Sequence, residues 1–272
     1  MQLKTEKPKK RSHLRTIIGS KIYTANRFVK WHTGGVSYAK NRIVENFPYT
    51  VFAHSTPLLR KLENAQMELQ YNKITNLKIA VNRLNGILLN PGEVFSYWKL
   101  IGKPTAKKGY LKGIVLESGK VKEGIGGGLC QLSNLIYWAS LHTELTVIER
   151  HRHSYDVFPD SSRTQPFGSG ATCFYNYIDL MIKNNTDKPY RLCLNVGDTE
   201  LEGSWQSTQE SQYTYKVYEK DHLIQHEFWG GYTRHNTIFR KKYDRAGHVV
   251  DDRIVAENHA VMMYEPLLEN KE

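Results

Sequence analysis

Gly124-Ile125-Gly126-Gly127-Gly128-Leu129-Cys130-Gln131 is the run that decides how this chain is read. Consecutive glycines permit positive φ and let a second backbone, or a substrate, come close. Immediately afterwards the apolar period becomes helical, because Leu129, Leu132, Ile136 and Ala139 share one side. Cys130 is thereby placed at a helix start, where unpaired N–H groups and positive potential gather. That potential lowers a thiol pKa, and the thiolate is the nucleophilic form. The same N–H groups could hold the oxyanion of an acyl transfer. A lone cysteine heading a helix can equally be a small buried hydrophobe. The run lacks the Lys and Ser/Thr of a nucleotide P-loop, so a phosphate loop is the weaker reading.

Upstream, residues 56–89 read as helix. Thr56-Pro57 would supply the cap and first-turn proline, with Leu77, Val81, Leu84 and Leu88 on one face and Asn90-Pro91-Gly92 as the stop. Glu93 to Trp98, Gly113 to Glu117 and Val121-Lys122 read as short strands, the last two joined through Ser118-Gly119-Lys120. Downstream, strands are expected at 145–149, roughly 171–183 and 190–196. From 200 to 264, aromatic and branched residues alternate with polar ones, as in Tyr213, Tyr215 and Val217. The predicted fold is α+β: a mainly antiparallel sheet, a helix headed by the Gly-rich turn and Cys130, and a β-rich C-terminal segment. The expected divisions are a basic arm at 1–55, the principal domain at 56–205 and a β-rich extension at 206–272.

A thiolate needs a base and a group to orient it. Glu149-Arg150-His151-Arg152-His153-Ser154 follows the 145–149 strand, and residues two apart on an extended chain point the same way. His151 or His153 could face Cys130. Asp179, on the expected 171–183 strand, could orient the base. The alternatives are an anion site built from Arg150 and Arg152, a mixed zinc site of Cys130, His151, His153 and Asp179, and a merely structural Asp179. Gly126, Gly127, Gly128 and Gln131 would line the ligand in either an enzyme or a binding module. No ligand spacing requires a metal, and no cofactor is expected.

Composition bounds these readings. The 272 residues are 40% hydrophobic and include 17 Tyr, which suits a folded, strand-containing body rather than a disordered chain. No apolar run approaches the ~18 residues of a membrane span. Three cysteines without a CxxC pair argue against a disulfide framework and fit a reducing compartment. The net charge of +11 is concentrated at the start. Eleven Lys and Arg stand against Glu6 alone in residues 1–42. Such an arm seeks polyanions, among them an anionic membrane surface, or is a solvated segment with no partner of its own; no nucleic-acid motif accompanies it, and nucleic acid is not an expected partner. Ile17-Ile18-Gly19 is too short for a signal-peptide core, so the expected location is cytoplasmic, peripheral to the inner membrane face.

The chain resembles the VanW family in Pro91-Gly92-Glu93-Val94-Phe95-Ser96, Gly109-Tyr110, Gly124 to Gln131, Glu149-Arg150-His151 through Ser154, and Asp179-Leu180 to Asn184. The likeness covers about residues 60–200, with 213–266 resembling the tail of one subgroup. It implies a link to glycopeptide (vancomycin) resistance and cell-wall peptidoglycan. By analogy with cysteine-dependent L,D-transpeptidase-like members, it also implies Cys130 as nucleophile and His151 or His153 as base. A peptidoglycan precursor peptide is the implied partner, reachable from the cytoplasm. Two departures stand out: Asn134 replaces a family Thr, and Gly170-Ala171-Thr172 lacks a preceding family Asp, which leaves Asp179 as the implied orienter.

Overall fold

A computed structural model describes residues 12–59, 64–117, 119–157 and 165–266. Lys4, Lys7, Lys9, Lys10 and Arg11 of the basic arm, and Ser118 of the expected turn, lie outside these residues. In chain order the elements are helix α1 (His13–Thr33), strand β1 (Tyr49–Pro57), α2 (Asn64–Leu84), β2 (Leu88–Leu89), β3 (Val94–Ser96), α3 (Tyr97–Ile101), β4 (Lys112–Glu117) and β5 (Lys120–Ile125). Then come α4 (Cys130–Leu141), β6 (Thr146–Glu149), β7 (Tyr155–Asp156), β8 (Met181–Lys183), β9 (Tyr190–Val196), β10 (Glu200–Ser207), β11 (Thr214–His226), β12 (Tyr232–Tyr243) and β13 (Val249–Met262).

The fold is α+β and mainly antiparallel, as the alternating pattern predicts. Sheets run in the orders β1-β10-β9-β2, β3-β8-β6 and β11-β12-β13-β7, with β4-β5 as a hairpin. Among the described residues the one parallel pairing between named strands is the short contact of β7 with β13. α4 packs on β10 and β1, and α2 on β9 and β4. On β10, against α4, lies Trp205, fully buried, its indole N–H donating to Ser140 Oγ at 3.0 Å and its ring edge-on to Phe95 and Tyr190. Leu132, Ile136 and Ala139 turn into this core, as the helical period predicts.

Three local expectations are corrected. Thr56 and Pro57 do not cap a helix. They end β1, paired with Leu201 and Glu200, because the β10 edge supplies hydrogen bonds that override a local cap signal. The helix instead begins at Asn64 and stops at Leu84. There Gly86 turns at φ +83°, with Ile43 O 2.5 Å from where a Cβ would sit. Leu88 belongs to β2, and Asn90 to Glu93 close the turn into β3 (Glu93 N–H to Asn90 O, 3.0 Å). The expected strand from 171 narrows to Met181–Lys183. Before it, Phe174 and Ile178 exchange backbone hydrogen bonds across a tight loop, which sends Asp179 inward instead of along a strand. Among the described residues no helix is long and apolar enough to cross a membrane.

Candidate functional site

The glycine run answers first to packing. Gly126 and Gly128 sit at φ +77° and +90°, which an L side chain rarely adopts. A Cβ on Gly127 would fall 2.1 Å from the carbonyl carbon of Gly113 in β4. The hairpin and the start of α4 therefore touch backbone to backbone. The N–H groups of Gly126, Gly127 and Gly128 donate to Leu111, Gly124 and Ile114 carbonyls at 2.9–3.0 Å, so these three amides are already engaged. Among the described residues, the amides of Leu129 and Cys130 make no hydrogen bond. Gln131 Nε2 is committed to Thr56 Oγ1 and Pro57 O, tying β1 to α4.

Cys130 opens α4, as expected, and is partly exposed. Its Sγ donates to the carbonyl of Cys173 at 3.6 Å. Burial pushes the thiol pKa above its ordinary value, opposite to the shift expected of a helix terminus. Among the described residues, Cys130 shares no hydrogen bond with His151, His153 or Asp179. Cys173 is itself buried.

The histidine segment runs beside the same region. Thr172 N–H donates to His151 O at 2.8 Å, so His151 flanks the stretch whose next residue accepts from Cys130. Ser133 Oγ and Asn134 Oδ1 clamp Ala171 onto α4 at 2.6 and 2.7 Å. The Asn that departs from the family pattern thus has a positioning contact of its own. His151 is exposed, and its Nε2 lies 3.1 Å from Glu149 Oε1. Glu149 also receives both ends of the Arg27 guanidinium, at 2.5 and 2.8 Å. Burial alone would raise the Glu149 pKa, but His151 and Arg27 hold it down at about 2. His153 is half-buried, and burial with the Arg152 charge lowers its pKa.

Asp179 is fully buried and faces elsewhere: it accepts from Ser96 Oγ at 2.5 Å and from Trp98 N–H at 2.9 Å, holding the start of α3. Burial pushes its pKa up to about 7 against those two bonds. The group that touches a histidine is Glu149, while the Asp179 backbone N–H approaches Glu149 Oε1 at 3.3 Å. The expected anion patch is also occupied. Arg150 donates to Gly168 O, Gly170 O and Asn258 Oδ1 and lies over Tyr137, and Arg152 donates to His259 O and lies over Phe167. Among the described residues no group of three or more His, Cys, Asp or Glu is placed to hold a metal, so the alternative zinc set is not assembled.

Two residues of this site escaped sequence reasoning. Glu149 carried a usable signal, since it stands two before His151 on an extended chain. Arg27 carried none. The sequence places it in the basic arm, 122 residues away, yet it is 7% exposed and ion-paired. Together Tyr23, Arg27, Lys30, His151 and Tyr177 border a cleft of about 540 Å³ along α1.

Comparison with known proteins gives a consistent picture. The family described as VanW like protein matches residues 72–206. The chain is 31% identical over 236 residues to the vancomycin B-type resistance protein VanW of Enterococcus faecalis, covering 87% of this chain and 86% of that protein. It is 27% identical over 114 residues to the uncharacterised protein YoaR of Bacillus subtilis, covering 42% of this chain and 36% of that one. No solved structure matches.

Proposed function

This chain belongs to the VanW family, and on that footing we propose that it is an accessory protein of glycopeptide resistance acting on peptidoglycan precursor peptides by cysteine-dependent acyl transfer. The observation that carries the reading is the Glu149–His151 pair, already hydrogen-bonded, with a partly buried Glu149 and an exposed His151 beside the segment that receives the Cys130 thiol. Because His151 Nε2 faces Glu149, Nδ1 is the nitrogen left to take a proton. In the proposed step His151 Nδ1 removes the Cys130 proton and Sγ adds to a peptide carbonyl carbon. The oxyanion is held by the unengaged amides of Leu129 and Cys130. Collapse breaks the peptide C–N bond, and the leaving amine takes the proton from Nδ1. The resulting thioester passes to an acceptor amine or to water. Catalytic hydrogen bonds commonly tighten only when substrate is bound, which accommodates the present gap between thiol and imidazole. The cleft of about 540 Å³ that His151 borders falls in the size range of ligand sites.

A second reading, a non-catalytic binding module, is favoured by one specific feature: the Cys130 thiol rests protonated against a carbonyl. Incubation with a synthetic precursor pentapeptide, read by intact-protein mass spectrometry and product chromatography, separates the two. Acyl transfer predicts an adduct on Cys130 and turnover, both lost in Cys130→Ala and sharply reduced in His151→Ala. Equal peptide affinity for wild type and Cys130→Ala, with neither adduct nor product, would establish binding alone.

A further inference from the structure

Helix α1 is apolar where a surface helix is ordinarily polar. Its inward side carries Arg27 and Trp31, both under 8% exposed, the first paired with Glu149 and the second giving its carbonyl to Lys99 Nζ. The other side carries Leu14, Ile18, Ile22 and Val29, spaced four, four and seven apart, so they form one stripe. Their exposures are 68%, 50%, 55% and 57%. An amphipathic helix that merely covers a core directs its charges there instead. A contiguous exposed apolar patch signals a partner or a membrane.

The charge around the stripe selects between them. α1 contains no Asp or Glu, and Arg15, Lys21 and Lys30 stand exposed along it. Two copies meeting through this face would bring like charges together in an apolar contact, whereas anionic phospholipid headgroups would neutralise them. From α1 itself, the Tyr23 ring lies 5.4 Å from Tyr177, which lies 5.8 Å from the 56% exposed Phe174. Aromatic rings of this kind favour the headgroup level of a bilayer.

We propose that α1 docks in the plane of an anionic phospholipid surface, with Leu14, Ile18, Ile22 and Val29 inserted and Arg15, Lys21 and Lys30 at the headgroups. This goes beyond attraction by a basic arm, because apolar insertion survives salt that releases a purely electrostatic contact. It does not rest on the acyl-transfer reading.

The test is flotation of the full chain with vesicles of phosphatidylcholine alone or containing about a quarter phosphatidylglycerol. The expected result is flotation with the anionic vesicles, partly retained at about 0.5 M salt, where screening reaches only a few ångströms. Ile18→Asp/Val29→Asp should lower vesicle affinity about tenfold or more, and Ile18→Ser/Val29→Ser by less. Both pairs alter exposed positions, and matched circular dichroism spectra confirm the fold. Arg15→Glu/Lys21→Glu should remove the preference for anionic lipid. Absence of flotation with anionic vesicles overturns the proposal, as does flotation indifferent to the Asp pair. A wild-type dimer in sedimentation that the Asp pair dissociates, without vesicle binding, overturns it in favour of a second copy.

Discussion

Glu149 and Asp179 are neighbours, one backbone hydrogen bond apart, yet their surroundings drive them in opposite directions. Glu149, at the end of β6, meets Arg27 and His151 and is held at about 2. Asp179, in the loop before β8, meets a hydroxyl and an amide and rises to about 7. Both lose water on folding. Asp179 loses it more completely and has no cation in contact, whereas Glu149 keeps some exposure and two cationic partners, and both differences favour ionisation of Glu149. The ionised one can polarise and orient an imidazole. The other builds structure.

The sharpest way to break this comparison is Arg27→Met. Removing one partner of a buried ion pair costs about 3–5 kcal/mol, and Glu149 retains His151 and some water, so a loss of about 2–3 kcal/mol is expected in urea unfolding. A loss below about 1 kcal/mol would mean that Arg27 does not hold Glu149 ionised. Asp179→Ala comes next. It leaves the Ser96 hydroxyl and Trp98 N–H without their acceptor, at a cost of about 2 kcal/mol, and Asp179→Asn should recover part of this.

Acid titration of stability tests the two carboxylates together. The folded pKa of Glu149 is depressed, so its contribution is present above about 4.5 and is lost as pH falls toward about 2. The folded pKa of Asp179 is raised, so its contribution is present below about 3.8 and is lost as pH rises through about 7. Glu149→Gln should remove the acid-side loss and Asp179→Asn the fall above pH 4, each slope being at most about 1.4 kcal/mol per pH unit. An unchanged profile in both variants would refute the assignment. The smallest effect concerns Cys130. With its pKa raised, the resting thiol should alkylate with iodoacetamide at pH 7 more slowly than free cysteine, and His151→Ala should change that rate by no more than about threefold. Alkylation faster than free cysteine would show a thiolate that the resting geometry does not provide.

The elements whose cause is local were legible. The helical period after Cys130 and the strand at 190–196 appear as read, and the β4–β5 hairpin stands where expected, with its second strand lengthened to Lys120–Ile125. Elements decided by a distant partner were not. Thr56-Pro57 carries a cap signal but lies opposite β10, and residues 171–180 alternate like a strand while Asp179 is claimed by Ser96 and Trp98. The site divides the same way. Cys130 and His151 stand out by residue type and setting, whereas the cation beside Glu149 comes from a helix more than a hundred residues earlier, where Arg27 looks like one more charge in a basic arm.

The contact of Gly127 with Gly113 has a consequence for how such chains are recognised. No side chain fits at either position, whatever chemistry the neighbouring thiol performs. A descendant could lose the imidazole, the carboxylate and even the sulfur, and its backbone crossing would still demand glycine at both places. The run that makes this sequence easy to classify is therefore a stamp of architecture, and a chain bearing it inherits a shape before it inherits an activity.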